Sequence, residues 1–188
     1  MGKRSDRPRT YDSVGVVVLS HRQEYLEECL ESVRSQTSLP AAVIVVDNGS
    51  SSDARVSDLA QRMGFESVRL ERPKGRSTAR NVGCELLDQC DVLVSLDGDD
   101  VLLPRYLEEY VRHAASTQAD VVYGAAELFG TETGVAFTAE ERRRHSDLRG
   151  GNFIPANSLF RREMWRSAGG YDPHLEIFED WDRSESVV

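Results

Sequence analysis

Cysteine is scarce in this chain. Cys29, Cys84 and Cys90 are the three present in 188 residues. They are an odd number with no CxxC pair, which argues against a disulfide framework and for reduced, mostly buried thiols in a cytoplasmic protein. Basic excess is missing too. The net charge of −9 is the opposite of what nonspecific nucleic-acid binding requires, so no nucleic-acid partner is expected. No run approaches 18 apolar residues, so no membrane span is expected. The opening MGKRSDRPRT lacks the apolar core of a signal peptide and reads as the start of a disordered basic tail over residues 1–12. Its Lys3, Arg4, Arg7 and Arg9 leave a peripheral contact with anionic lipid open. The glycine fingerprints of nucleotide binding are absent as well: neither GxGxxG nor GxxxxGK[ST] occurs, so hydride-transfer and P-loop readings lack their signature. Without repeats or a low-complexity linker, residues 13–188 are expected to form a single domain.

What is there is an ordinary globular composition, 39% apolar and 29% charged, long enough for a substantial core. Val14 to Leu19 is a continuous β-branched run, too short for most helices, and reads as a strand buried on both faces. Tyr25, Leu26, Cys29, Leu30 and Val33 then recur at helical spacing. Val43 to Val46 predicts a second buried strand, followed by a helix carrying Val56, Leu59, Ala60 and Met63, with Gly64 as its stop. A short strand over Ser67–Leu70, a helix capped by Ser77 or Thr78, and a strand over Asp91–Leu96 come next. Pro104 suits the first turn of a further helix with Leu107, Tyr110, Val111 and Ala114 on one face. Asp120–Tyr123 predicts one more strand, Phe153–Phe160 an extended segment, and Arg161–Ala168 a short helix. Strand and helix in close alternation is the mark of an α/β layered sheet with right-handed crossovers.

In an open parallel sheet, ligands bind beyond the carboxyl ends of the strands. The four clearest strands run into Ser20-His21-Arg22, Asp47-Asn48-Gly49-Ser50, Arg72-Pro73-Lys74-Gly75 and Asp97-Gly98-Asp99-Asp100. If the strands are parallel neighbours, these clusters share one edge. Each has a plainer reading: the second is a common turn sequence, Lys74 and Arg76 suit solvent, and the last could be a turn with a helix cap. The last cluster is harder to dismiss, because two aspartates about 6 Å apart repel by about 3 kcal/mol at an effective dielectric near 20. A divalent cation relieves that repulsion. Mg²⁺ or Mn²⁺ takes hard oxygen ligands, usually one or two carboxylates completed by substrate phosphates. Gly98 is misplaced for a calcium-binding EF-hand loop. A second acidic pair, Glu179-Asp180, lies between Phe178 and Trp181, apolar neighbours that can raise a carboxyl pKa. An exposed surface turn explains the same residues.

Five stretches in order resemble an inverting family-2 glycosyltransferase of the GT-A fold: VVVLSHRQEYLEECLESVRSQT, VIVVDNGSSSD, RPKGRSTARNVG, VSLDGDDVLLP and NSLFRREMWRSAGGYDPHLEIFEDWD. The resemblance covers Val14 to Asp182. It implies a Rossmann-like α/β fold, a three-layer αβα sandwich around a mixed, mostly parallel sheet. It places Ser20, Arg22, Asp47 and Asn48 around the base and ribose of a nucleotide, and Lys74 and Arg80 near the donor phosphates. Asp97 lies by the ribose or the metal, Asp99 binds the metal directly, and Asp180 is the general base supported by Glu179. The implied donor is a UDP-, dTDP- or GDP-sugar. The implied acceptor is a saccharide, a lipid-linked molecule, a protein or a small molecule. Relatives usually continue with a helix beyond the position of Asp182, so a domain shortened at its C-terminus is expected. The polar stretch around Arg142–Arg149 reads as a solvated segment or as a loop over the donor. Two rivals stand beside this reading. A sugar-phosphate nucleotidyltransferase uses a similar sheet, but its glycine-rich first loop is missing from Ser20-His21-Arg22-Gln23. A shortened, inactive relative would bind a nucleotide or a partner protein without turnover.

Overall fold

The computed structural model describes residues 9–20, 24–50, 53–136, 138 and 154–174. Strand β1 (Val14–Ser20) is buried along its whole length, as its valine-rich apolar run suggests. Helix α1 (Leu26–Arg34), β2 (Ala42–Asp47), α2 (Asp53–Met63), β3 (Glu66–Arg69), α3 (Arg76–Leu86), β4 (Val92–Asp97) and α4 (Tyr106–Thr117) follow in strict alternation. The chain then makes β5 (Val121–Val122), a hairpin of β6 (Ala126–Leu128) and β7 (Gly134–Ala136), β8 (Leu159–Arg161) and a short α5 (Arg162–Ser167).

Among the described residues, six strands form one sheet in the order β3-β2-β1-β4-β8-β5, and the hairpin β6-β7 stands as a separate two-stranded sheet. β1, β2, β3 and β4 are parallel, whereas β8 runs antiparallel to both β4 and β5. The two faces of the sheet bury two apolar clusters. On one, Val16, Val18, Val45 and Val94 meet Leu30 and Val33 of α1, Val56 and Ala60 of α2 and Leu107 of α4. On the other, Val17, Val46 and Leu93 meet Ala79 and Cys84 of α3 and Met164 and Trp165 of α5. This is a three-layer αβα sandwich around a mixed, mostly parallel sheet, as expected.

Details depart from expectation. α3 starts at Arg76 with Gly75 as its N-cap, not at Ser77 or Thr78. Pro104 precedes α4, whose N-cap is Arg105. Residues 9–12 are docked, not a disordered tail. Tyr11 is 4% exposed and its hydroxyl donates to the Ala119 carbonyl at 2.9 Å, while Arg9 pairs with Asp120 at 3.3 Å. Burial of one aromatic ring and an ion pair offsets the entropy of ordering so short a segment. All three cysteines are buried thiols outside any disulfide.

Candidate active site

The parallel register brings the carboxyl ends of the strands into one row. Ser20 pairs with Asp47, Leu19 with Asp97 and Asp47 with Arg69. The chain runs from β1 outward to β3 and returns through α3 to β4 on the opposite side of β1. The crevice between the ends of β1 and β4 is therefore the switch point where such sheets bind ligands.

At the β2 end the polar groups satisfy one another. Asp47 is 2% exposed. One of its oxygens accepts from the Ser50 amide at 2.8 Å and the other from the Ser50 hydroxyl at 2.9 Å. Arg69 donates to the Ser50 carbonyl at 3.0 Å. Asn48 ties this turn to its neighbours. Its amide donates to the Ser20 carbonyl at 3.1 Å, and its side-chain oxygen accepts from the Lys74 amide at 3.0 Å. Gly49 sits at a φ of +70°, and a Cβ there would lie 2.4 Å from the Pro73 nitrogen. The Lys74 side chain itself is exposed. Ser20 is fully buried, and its hydroxyl has no hydrogen-bond partner among the described residues.

At the β4 end the charges are not so settled. Arg80 of α3, 1% exposed, donates to Asp97 Oδ1 at 2.8 Å. Asp99 is exposed, and Asp100 is half-buried in the turn closed by its own amide on the Asp97 carbonyl at 3.0 Å. Burial, then the charges of Asp97 and Asp99, push the Asp100 carboxyl up to about 6 despite the lowering influence of Arg80. Burial and the same three carboxylates push the Cys29 thiol far up. That thiol lies under the rim, 3.6 Å from the Asp97 carbonyl, and is held as an inert neutral group. The repulsion inferred from the sequence is thus present in the folded chain. A cleft of about 560 Å³ opens beside Asp99 and Asp100, with Tyr25, Phe129 and Asn157 on its walls.

The loop after the acidic cluster is held by Ser32 and Gln36. Ser32 accepts from the Leu102 amide at 3.1 Å. Gln36, 5% exposed, donates to the Leu103 carbonyl at 2.8 Å and accepts from the Leu107 amide at 3.0 Å. α4 has no side-chain cap of its own; Gln36 supplies one from the end of α1. The trace in the sequence is a polar residue at two otherwise apolar positions, Ser32 in α1 and Gln36 just beyond it, which does not say what they bond.

Of the expected site residues, the structure brings together Ser20, Asp47, Asn48, Lys74, Arg80, Asp97 and Asp99. Arg22, Glu179 and Asp180 lie outside the described residues. Among the described residues no group of three or more His, Cys, Asp or Glu side chains is placed to hold a metal ion. The donor set nevertheless fits a hard cation of the kind whose shell is completed by phosphates: one exposed carboxylate, a second with one oxygen already engaged, and residual negative repulsion.

The profile of glycosyl transferase family 2 matches residues 13–169, most of the chain. The chain belongs to glycosyl transferase family 2. It is 27% identical over 175 residues to the uncharacterized glycosyltransferase YwdF of Bacillus subtilis (strain 168), covering 89% of this chain and 64% of that protein. It is 30% identical over 183 residues to the amylovoran biosynthesis glycosyltransferase AmsE of Erwinia amylovora, covering 88% of this chain and 66% of that one. The chain thus spans just under two thirds of the length of these relatives. The crystal structure of Staphylococcus aureus TarS 1-349 superposes with a TM-score of 0.75 at 17% identity, over 93% of this chain and 55% of that one. This likeness places the family-2 domain in the GT-A fold. A further TarS 1-349 structure is a complex with UDP-GlcNAc, with a TM-score of 0.73.

Proposed function

We propose that this chain transfers a glycosyl group from a nucleoside-diphosphate sugar to an acceptor hydroxyl, with inversion at the anomeric carbon. The observation that carries the reading is the row of strand ends at the switch point, where Ser20 at the end of β1 stands between Asp47 and Asn48 on one side and Asp97 and Asp99 on the other. Family membership supports glycosyl transfer, and the UDP-GlcNAc complex of TarS makes a uridine nucleotide the first donor to try, ahead of dTDP- and GDP-sugars.

In this reading the Asp47–Ser50 turn and Asn48 present a preformed wall for the base and ribose. Preformed hydrogen bonds lower the ordering cost of binding. Lys74 and Arg80 supply positive charge on the phosphate side. Mn²⁺ or Mg²⁺, held by Asp99 and Asp97 together with the diphosphate, would neutralise the charge that grows on the leaving group. Asp180, supported by Glu179, takes the proton from the acceptor hydroxyl as its bond to carbon forms. A base so placed contributes about 10² to 10⁴-fold. Attack opposite the leaving diphosphate inverts the configuration. The acceptor, whether saccharide, lipid-linked, protein or small molecule, enters from the Asp99 side of the crevice.

The test is a transfer assay with UDP-GlcNAc, Mn²⁺ and an acceptor panel, read by NMR for the anomeric configuration of the product. Asp180→Asn should keep nucleotide binding and lose transfer by at least about 100-fold. Normal turnover in Asp180→Asn would contradict the base assignment. Nucleotide affinity without turnover in the wild type would favour a binding module instead.

A further inference from the structure

Arg80 and Asn81 are consecutive on α3 and reach two different partners. Arg80 donates to Asp97 Oδ1, and its guanidinium carbon lies 5.7 Å from the centroid of the Tyr171 ring. Asn81 grips the backbone of that same tyrosine. Its Nδ2 donates to the Tyr171 carbonyl at 2.8 Å, and its Oδ1 accepts from the Tyr171 amide at 2.9 Å. The two bonds copy one rung of a β-ladder with a side chain in place of a strand, so Tyr171 is fixed in position and not merely packed. The ring is 3% exposed and meets Phe160 of β8 edge-on, with centroids 6.5 Å apart. The approach is built into the backbone. Gly169 and Gly170 have φ values of +83° and +82°, and a Cβ on Gly170 would stand 2.8 Å from Asn81 Oδ1.

We propose that Tyr171 and Asn81 are positioning residues for Asp97: the clamp seats the ring, the ring seats Arg80, and Arg80 fixes the carboxylate. The arrangement answers a specific difficulty. Asp97 shares its turn with Asp99 and Asp100, whose repulsion favours swinging it away from the rim. A guanidinium held from behind by a π face and bonded through Nη2 keeps Oδ1 engaged and leaves Oδ2 as the oxygen offered to a ligand. Burial strengthens both contacts, because a desolvated cation gains more from an aromatic face than an exposed one. Residues 90 positions apart in sequence thereby set the geometry of the Asp97 carboxylate. That this geometry serves a metal–nucleotide rests on the function proposed above; that it holds Arg80 does not.

Two readouts on the full chain separate the two claims. The first is the side-chain ¹⁵Nε order parameter of Arg80, measured without ligand. The second is the dissociation constant of UDP in saturating Mn²⁺. In Tyr171→Leu, Arg80 should become mobile and the UDP constant should rise about tenfold, at a temperature where circular dichroism shows the variant folded. Tyr171→Phe, which keeps the ring, should retain a rigid Arg80 and the wild-type constant. If Tyr171→Leu does not fold, Asn81→Ala, which removes two hydrogen bonds and leaves the ring, carries the same expectations. A rigid Arg80 in the folded variant overturns the proposal, as does a mobile Arg80 with unchanged UDP affinity. A mobile Arg80 in a protein whose wild type binds no UDP upholds the clamp and overturns the choice of a uridine nucleotide as donor.

Discussion

Asp47 and Asp99 stand on the same edge of the sheet, at the ends of strands separated only by β1, and they meet opposite conditions. Asp47 is buried with both oxygens bonded to Ser50. Asp99 is exposed beside Asp97 and Asp100, and the cost of that crowding appears in the Asp100 carboxyl, pushed up to about 6 by burial and its two neighbours. One half of the rim is saturated and rigid; the other keeps unspent negative charge. The same residue type is a brace where hydrogen bonds saturate it and an available ligand where they do not. A transferase needs both, since a donor must be held in fixed geometry while its leaving group is neutralised.

The sharpest way to break the comparison is to remove the saturated carboxylate. Asp47→Ala removes both bonds that the buried Ser50 amide and hydroxyl make to Asp47 and should cost about 2–4 kcal/mol in urea unfolding. A cost near zero would mean that Asp47 braces nothing. Gln36→Leu tests the support beneath the acidic half. It strands the Leu107 amide and the Leu103 carbonyl, and should lower stability by about 1–3 kcal/mol by the same measure. The smallest expected effect has the opposite sign. Asp100→Asn removes one member of the repelling set, so the metal-free protein should melt a few degrees higher at pH 8. The wild type should show the matching pH dependence. A carboxyl raised from 3.8 in the unfolded chain to about 6 in the folded one favours folding below 3.8, and that contribution is lost as the pH rises through 6. In Asp100→Asn this fall in melting temperature between pH 4 and 6 should shrink.

The sequence exposed the parallel half of the fold more clearly than the rest. β1 and β2 are apolar runs ended by polar turns, β4 is one interrupted only by Ser95, and a strand buried on both faces leaves just that trace. β5 has two residues and β8 three; elements so short owe their form to their neighbours, and the antiparallel setting of β8 is a tertiary fact with no local signature. The hairpin of β6 and β7 fell in a region whose periodicity was weak. The site divided in a similar way. The placement of Asp47, Asn48, Asp97 and Asp99 on one edge was legible because each directly ends or follows a buried strand, and parallel neighbours end on the same side. The clamp of Asn81 on Tyr171, the cap that Gln36 gives α4 and the docking of Tyr11 were not, because each joins residues distant in sequence through a bond that no spacing rule encodes.

The central claim is that the unsaturated half of the rim binds a divalent cation and that this cation carries the nucleotide. Isothermal titration of UDP into the wild type and Asp99→Ala, each with and without Mn²⁺, tests it most directly. The account predicts that Mn²⁺ tightens UDP binding to the wild type by at least about 10-fold, and that Asp99→Ala binds UDP weakly and equally with or without the ion. Equal UDP affinity in all four titrations would contradict it.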